Sequence, residues 1–110
     1  MALDRSTFLA SRRPVPKPIE VPGLGTVYVR GMNGSERDRF EELHGTAGRR
    51  GLRARIVAFH ACDEAGELLF GESDVPELGQ LAPETLDPIV AAGLAASGLS
   101  SEAVEDVAKN

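Results

Sequence analysis

Apolar positions along this chain change spacing several times, and each change predicts an element. The densest apolar run is 53–70, RARIVAFHACDEAGELLF. Leu52, Ile56 and Phe59 fall at i, i+4 and i+7, and Val57 and Cys62 broaden that face, which predicts a buried helix over about 52–62. The segment 56–59 is also compatible with a strand. Length and three alanines favour the helix. Asp63-Glu64-Ala65-Gly66 then reads as a turn, with Gly66 free to take positive φ. Glu67-Leu68-Leu69-Phe70 follows as a short strand or extended segment.

Upstream, Asp4 can cap a short helix over 5–11, with Leu3 packing on Phe8 as a hydrophobic staple. Pro14, Pro16 and Pro18 forbid helix and sheet interior, so 1–18 reads as an extended arm. Lys17–Val21 and 26–30 alternate as two strands around Pro22-Gly23-Leu24-Gly25, a hairpin with a four-residue loop. Ile19 and Val21 share one face of the first strand. Val27 and Val29 share a face of the second, with Tyr28 opposite. Ser35 caps a helix over 36–44 and Asp38 completes a capping-box pattern, with Phe40 and Leu43 turned inward. A glycine-rich basic loop follows over 44–51.

Downstream, Ser73 can cap a short turn over 74–78 that ends at Gly79. The next helix starts at Pro83 or Pro88, both suited to a first turn. Leu86, Ile89, Val90 and Leu94 form its apolar stripe, small residues surround them, and Gly98 terminates it. Ser100 caps a last helix over 101–109, with Glu102 near its N-terminus and Val104 and Val107 as its larger apolar residues. The expected fold class is α+β, mainly α. A β-hairpin is followed by a compact bundle of four to five short helices, all within one globular domain over 19–110.

Composition narrows the class. A chain of 110 residues makes one domain and can bury roughly 65% of its unfolded surface. It is 42% hydrophobic but only 5% aromatic, so its core must be largely aliphatic. One cysteine excludes an internal disulfide framework and suits a reducing compartment. No apolar run approaches the roughly 20 residues that span a bilayer, and no signal-peptide pattern opens the chain, so a cytoplasmic location is expected and a membrane partner is not. The net charge of −5 is unevenly spread. Residues 1–55 hold 11 Lys and Arg against 6 Asp and Glu, while 56–110 hold 1 against 11. Such a dipolar chain can associate head to tail with itself, or meet a basic partner with its second half.

The sequence contains no catalytic constellation, so no enzymatic activity and no cofactor are expected. His60 and Cys62 are two apart, which in a helix points them to different faces and makes them poor co-ligands for a metal. Cys62 lacks a partnered histidine and reads as a buried structural thiol. Asp63 and Glu64 sit in a turn, where carboxylates serve solvation and local backbone bonds. Gly48-Arg49-Arg50-Gly51 matches a GXXG loop. The order strand, helix, GXXG, helix, strand resembles the core of a KH domain, whose loop clamps a sugar-phosphate backbone. On that reading Arg49 and Arg50 bind RNA, and Arg53 and Arg55 extend the patch. Ala47 where the family carries a larger aliphatic residue, a long gap from helix to loop, and the acidic balance all weigh against it, so nucleic acid is not the expected partner.

Four features over 17–110, in this order, resemble the small tail assembly chaperones of long-tailed bacteriophages. They are GLGTVYVRGMNGSERDRFE, RARIVAFHACDEAGELLF, the acidic turn before Leu78-Gly79-Gln80-Leu81 and Pro83, and the closing 98–105, GLSSEAVE. The resemblance implies a non-enzymatic protein of the host cytoplasm, absent from the mature virion. It would bind the tape-measure protein and help recruit tail-tube subunits. It also implies a longer frameshifted product, since Ala108-Lys109-Asn110 can be encoded across a slippery heptamer. Leu86, Ile89, Val90 and Leu94 read first as core, and otherwise as a groove for a helical partner, with Arg49 and Arg50 as further candidate contact residues. Pro88 departs from the uninterrupted helix expected there. A structural tail or head-completion protein is the third reading.

Overall fold

The computed structural model of the chain describes residues 2–99. Its elements are α1 (Arg5–Leu9), β1 (Lys17–Val21), β2 (Gly25–Val29), α2 (Gly34–Ala47), α3 (Leu52–His60), β3 (Ala61–Cys62), α4 (Val75–Leu78) and α5 (Pro83–Ala96), with a 3-10 turn, Glu72–Asp74, before α4. The fold class is α+β, mainly α, as the periodicity predicts. The three strands form one antiparallel sheet in the order β1-β2-β3. The expected last helix over 101–109 lies outside the described residues. Among the described residues no helix is long and apolar enough to cross a membrane.

α3 is the centre. Every residue from Ala54 to His60 is buried, because α2, α4 and α5 all pack around it. A helix surrounded in this way needs small or apolar side chains on all faces, and ARIVAFH supplies them apart from Arg55 and His60. The helix stops at His60, two residues short of the predicted end. Ala61 turns to extended backbone, and Ala61 and Cys62 pair with Val29 and Tyr28. Their polar backbone groups are thus met by the sheet, and the strand-compatible tail of the run is used as a strand.

The hairpin forms with the predicted inward faces, since Val21 and Val29 are buried and Ile19 pairs with Val27. Its loop holds three residues, Pro22 to Leu24, because Val21 pairs with Gly25 and the Leu24 N–H reaches the Val21 carbonyl at 3.0 Å. Pro18 is tolerated because β1 is an edge strand. The Asp63–Gly66 turn is present, with Gly66 at φ 94°. The expected strand at 67–70 reduces to one bridge, Leu68 to Cys62.

α2 begins two residues earlier than its Ser35/Asp38 pattern predicts. Asn33 is the cap. Its side-chain oxygen accepts the Glu36 N–H at 2.8 Å, and the Glu36 carboxylate accepts the Asn33 N–H at 2.9 Å. Glu36 wins because Arg30 also holds its carboxylate, through two bonds at 2.7 and 2.9 Å. α2 also runs three residues past its expected end, to Ala47. Its last turn is retained because His44 is buried and stacks on Phe40. Similarly, Ser73 does not cap the segment before α4. Asp74 accepts the Gly71 N–H at 2.8 Å and closes the 3-10 turn instead. α1 is capped by Asp4 as predicted, but it ends at Leu9 and buries none of its residues.

α5 starts at Pro83 and passes through Pro88, losing one internal bond there. Gly98, at φ 68°, ends it. The Leu99 N–H bonds the Leu94 carbonyl and the Gly98 N–H bonds the Ala95 carbonyl, a Schellman pairing. α5 lies against α3, β1 and β2. Two glycines permit this. A Cβ on Gly93 would stand 2.8 Å from His60 Cγ, and one on Gly31 would stand 2.6 Å from the Ala96 carbonyl oxygen.

Gly93→Ala should therefore lower unfolding stability by about 1–3 kcal/mol, the usual range for overpacking a filled core. Urea denaturation measures it. A midpoint equal to that of the native chain would mean α5 does not approach α3 this closely.

Candidate functional site

Two buried polar clusters tie the elements together. His60 is fully buried. Its Nδ1 lies 2.6 Å from the Ile56 carbonyl, which can only accept, so Nδ1 carries the hydrogen. Nε2 then accepts from the Ser97 hydroxyl at 2.8 Å, and Ser97 Oγ accepts the Met32 N–H at 3.0 Å. This relay joins α3, the end of α5 and the β2–α2 junction. Burial holds the imidazole below its ordinary pKa, so it is neutral. Beside it, Arg30 donates Nε to the Gly66 carbonyl at 2.6 Å and grips Glu36 with both terminal nitrogens. That pairing raises the Arg30 pKa and lowers that of Glu36. Cys62 is buried and its thiol pKa is pushed up by burial, which fits the expected structural thiol. His60 and Cys62 do not form a metal pair, since both imidazole nitrogens are engaged elsewhere. Among the described residues no group of three or more His, Cys, Asp or Glu could hold a metal ion.

The Gly48-Arg49-Arg50-Gly51 loop joins α2 directly to α3, because α2 reaches Ala47. The long gap expected there is closed. Gly48 and Gly51 take φ 61° and 69°. Arg49 and Arg50 are exposed, as a contact role requires. Arg55 does not extend their patch. It points inward, donating to the Gly48 and Arg50 carbonyls at 2.8 and 2.9 Å and lying over the Phe40 ring. With no carboxylate bonded to it, burial lowers its pKa. Arg53 is paired with Asp87 at 2.7 Å. The amides of Gly48, Arg50 and Leu52 bond carbonyls of the same segment. The loop is thus braced from inside by a buried guanidinium, which its sequence spacing does not reveal.

The expected partner stripe on α5 is mostly occupied. Leu86 and Ile89 lie in the core, and Val90 and Leu94 pack against it from partly buried positions. They face α3 and the sheet, and Arg49 and Arg50 stand apart from them on the α2–α3 loop. Apolar surface is exposed in other places. Leu3 and Phe8 on and beside α1 are 68% and 65% exposed, and Leu9 is also exposed. Next to this arm runs a groove of about 570 Å³. Its lining brings together Arg12, Arg13 and Lys17, the apolar Ile19, Val29 and Met32, and Ala92, Ala95 and Ala96 of α5. Sequence reasoning missed this groove because no spacing rule places the arm opposite α5. The small residues around the α5 stripe were its only signal.

No family model, curated protein or solved structure matches the chain.

Two outcomes follow from the buried polar groups. The His60 pKa is lower in the folded chain than in the unfolded one, so the unfolded state binds the extra proton first. Stability should fall as pH drops below about 6.5, and level off once the folded ring also protonates. Imidazole resonances followed by NMR should keep His60 neutral through that window, and a ring titrating at the ordinary value would contradict this. Arg55→Leu should cost about 1–3 kcal/mol by orphaning two loop carbonyls and speed amide exchange in the loop, whereas Arg50→Ala should change stability by less than about 0.5 kcal/mol.

Proposed function

We propose that this chain is a phage tail assembly chaperone, a non-enzymatic protein that binds the tape-measure protein and helps recruit tail-tube subunits in the host cytoplasm. The four-part resemblance over 17–110 supports the reading. The observation that carries it beyond resemblance is the exposed apolar N-terminal segment. α1 buries none of its residues, and Leu3, Phe8 and Leu9 face solvent around it. Large side chains left together in water are a typical mark of an interaction surface. A tape-measure protein is a long helix whose apolar stripe needs cover before assembly, and a short adhesive arm on a folded body suits that task.

One observation favours a second reading. The tight α2–GRRG–α3 connection with exposed Arg49 and Arg50 is the arrangement a KH-like RNA clamp would use. The inward bonding of its amides and the net charge of −5 speak for the chaperone instead.

Co-expression with the tape-measure protein of the same phage separates the readings. The chaperone keeps that protein soluble and copurifies with it, and Leu3→Ser/Phe8→Ser/Leu9→Ser loses at least tenfold in recovered complex while remaining folded. Tape-measure protein that stays insoluble, or this chain recovered from purified virions, would overturn the proposal. Salt-sensitive binding of single-stranded RNA, abolished in Arg49→Ala/Arg50→Ala, would replace it with the second reading.

A further inference from the structure

The groove beside the arm and a second hollow on α4 carry charges of opposite sign. Arg12, Arg13 and Lys17 are the only charged side chains that line the groove among the described residues. Among the described residues none of the three has a side-chain hydrogen-bond or ion-pair partner. Val15, 59% exposed, adds an apolar shoulder. The α4 hollow has about 310 Å³ and is lined by Phe70, Leu78 and Leu81 with Asp74 and Glu77, and no cation lines it among the described residues. Leu81 in its lining is 46% exposed. Each surface thus pairs apolar area with one sign of charge, and each lacks the sign the other carries.

The two share no residue, so one copy presents both. They also follow the division of the whole chain, in which 1–55 is net basic and 56–110 strongly acidic. We infer that the arm groove of one copy takes the acidic α4 patch of a second copy, so that copies associate head to tail. Arg12 and Arg13 face Glu77 and Asp74, while Val15 and the α5 alanines meet Leu81. Such a contact is heterologous. It propagates into chains or rings wherever two copies do not satisfy both surfaces reciprocally. Both surfaces are small, so the association is weak and appears at high protein concentration. The inference does not depend on the chaperone reading and needs no tail protein.

Sedimentation velocity on the full chain tests it, with Arg12→Glu/Arg13→Glu as a groove variant and Glu77→Ser/Leu81→Ser as a patch variant, both checked for fold by circular dichroism. The native chain should rise from 11.7 kDa toward its multiples as concentration approaches roughly 1 mM, the regime of small interfaces. Each variant alone should stay near 11.7 kDa. An equimolar mixture of the two should reach twice that mass and stop, since one intact groove meets one intact patch. A native chain that is monomeric throughout, as it would be with 100–110 of the same copy or only a foreign partner in the groove, overturns the inference. So does a mixture that fails to associate, and so do variants that associate like the native chain.

Discussion

The fold closes on one buried imidazole. His60 sits where α3 gives way to β3, where α5 ends, and where the chain turns from the sheet into α2. Because the ring is fully buried, each of its nitrogens needs a partner, and each finds one on a different element. Ser97 passes the bond on to Met32, so the relay fixes three segments at once. Gly93 lets α5 come close enough for this to happen. Arg30 and Glu36 add a second tie, since one carboxylate both caps α2 and neutralises the buried guanidinium. A polar network of this kind is stabilising only when every member is satisfied, which makes the junction unforgiving of substitution.

This arrangement explains the division between interior and surface. α3 takes its contacts from all sides, and α5 spends its apolar stripe on α3 and the sheet. What remains for partners is what the core does not use. That is the arm and α1, the groove they form with the alanine face of α5, and the leucines around α4. Charge follows the same division. The acidic residues lie mostly in the second half of the chain, and the three cations lining the groove come from the arm and the start of β1. An acidic protein can in this way carry a locally basic recess without losing the overall charge that keeps it dispersed.

Arg55 shows why the loop was only partly legible. Gly48-Arg49-Arg50-Gly51 announces a glycine-bounded basic turn, and the two exposed arginines are where that pattern puts them. Arg55, four positions beyond the loop, reads as more of the same patch. In the fold it is the loop's inner brace, because the carbonyls at the end of α2 need donors and Arg55 lies on the buried face of α3. Nothing in the linear pattern distinguishes an arginine that serves carbonyls inside from one that serves phosphates outside.

Local chemistry in the sequence determined the elements. Periodicity placed α3 and α5, alternation placed the hairpin, Asp4 placed the start of α1, and Gly66 and Gly98 placed a turn and a helix end. These depend on residues within a turn or two of one another, so the chain states them directly. Tertiary structure decided the rest. It chose Asn33 over Ser35 as the α2 cap because Arg30 was waiting for Glu36. It ended α3 at His60 because β2 offered a strand partner. It turned Leu86 and Ile89 into core because α3 needed covering. It set the arm across from α5, a juxtaposition that depends on residues some eighty positions apart and therefore leaves no periodic trace in the sequence.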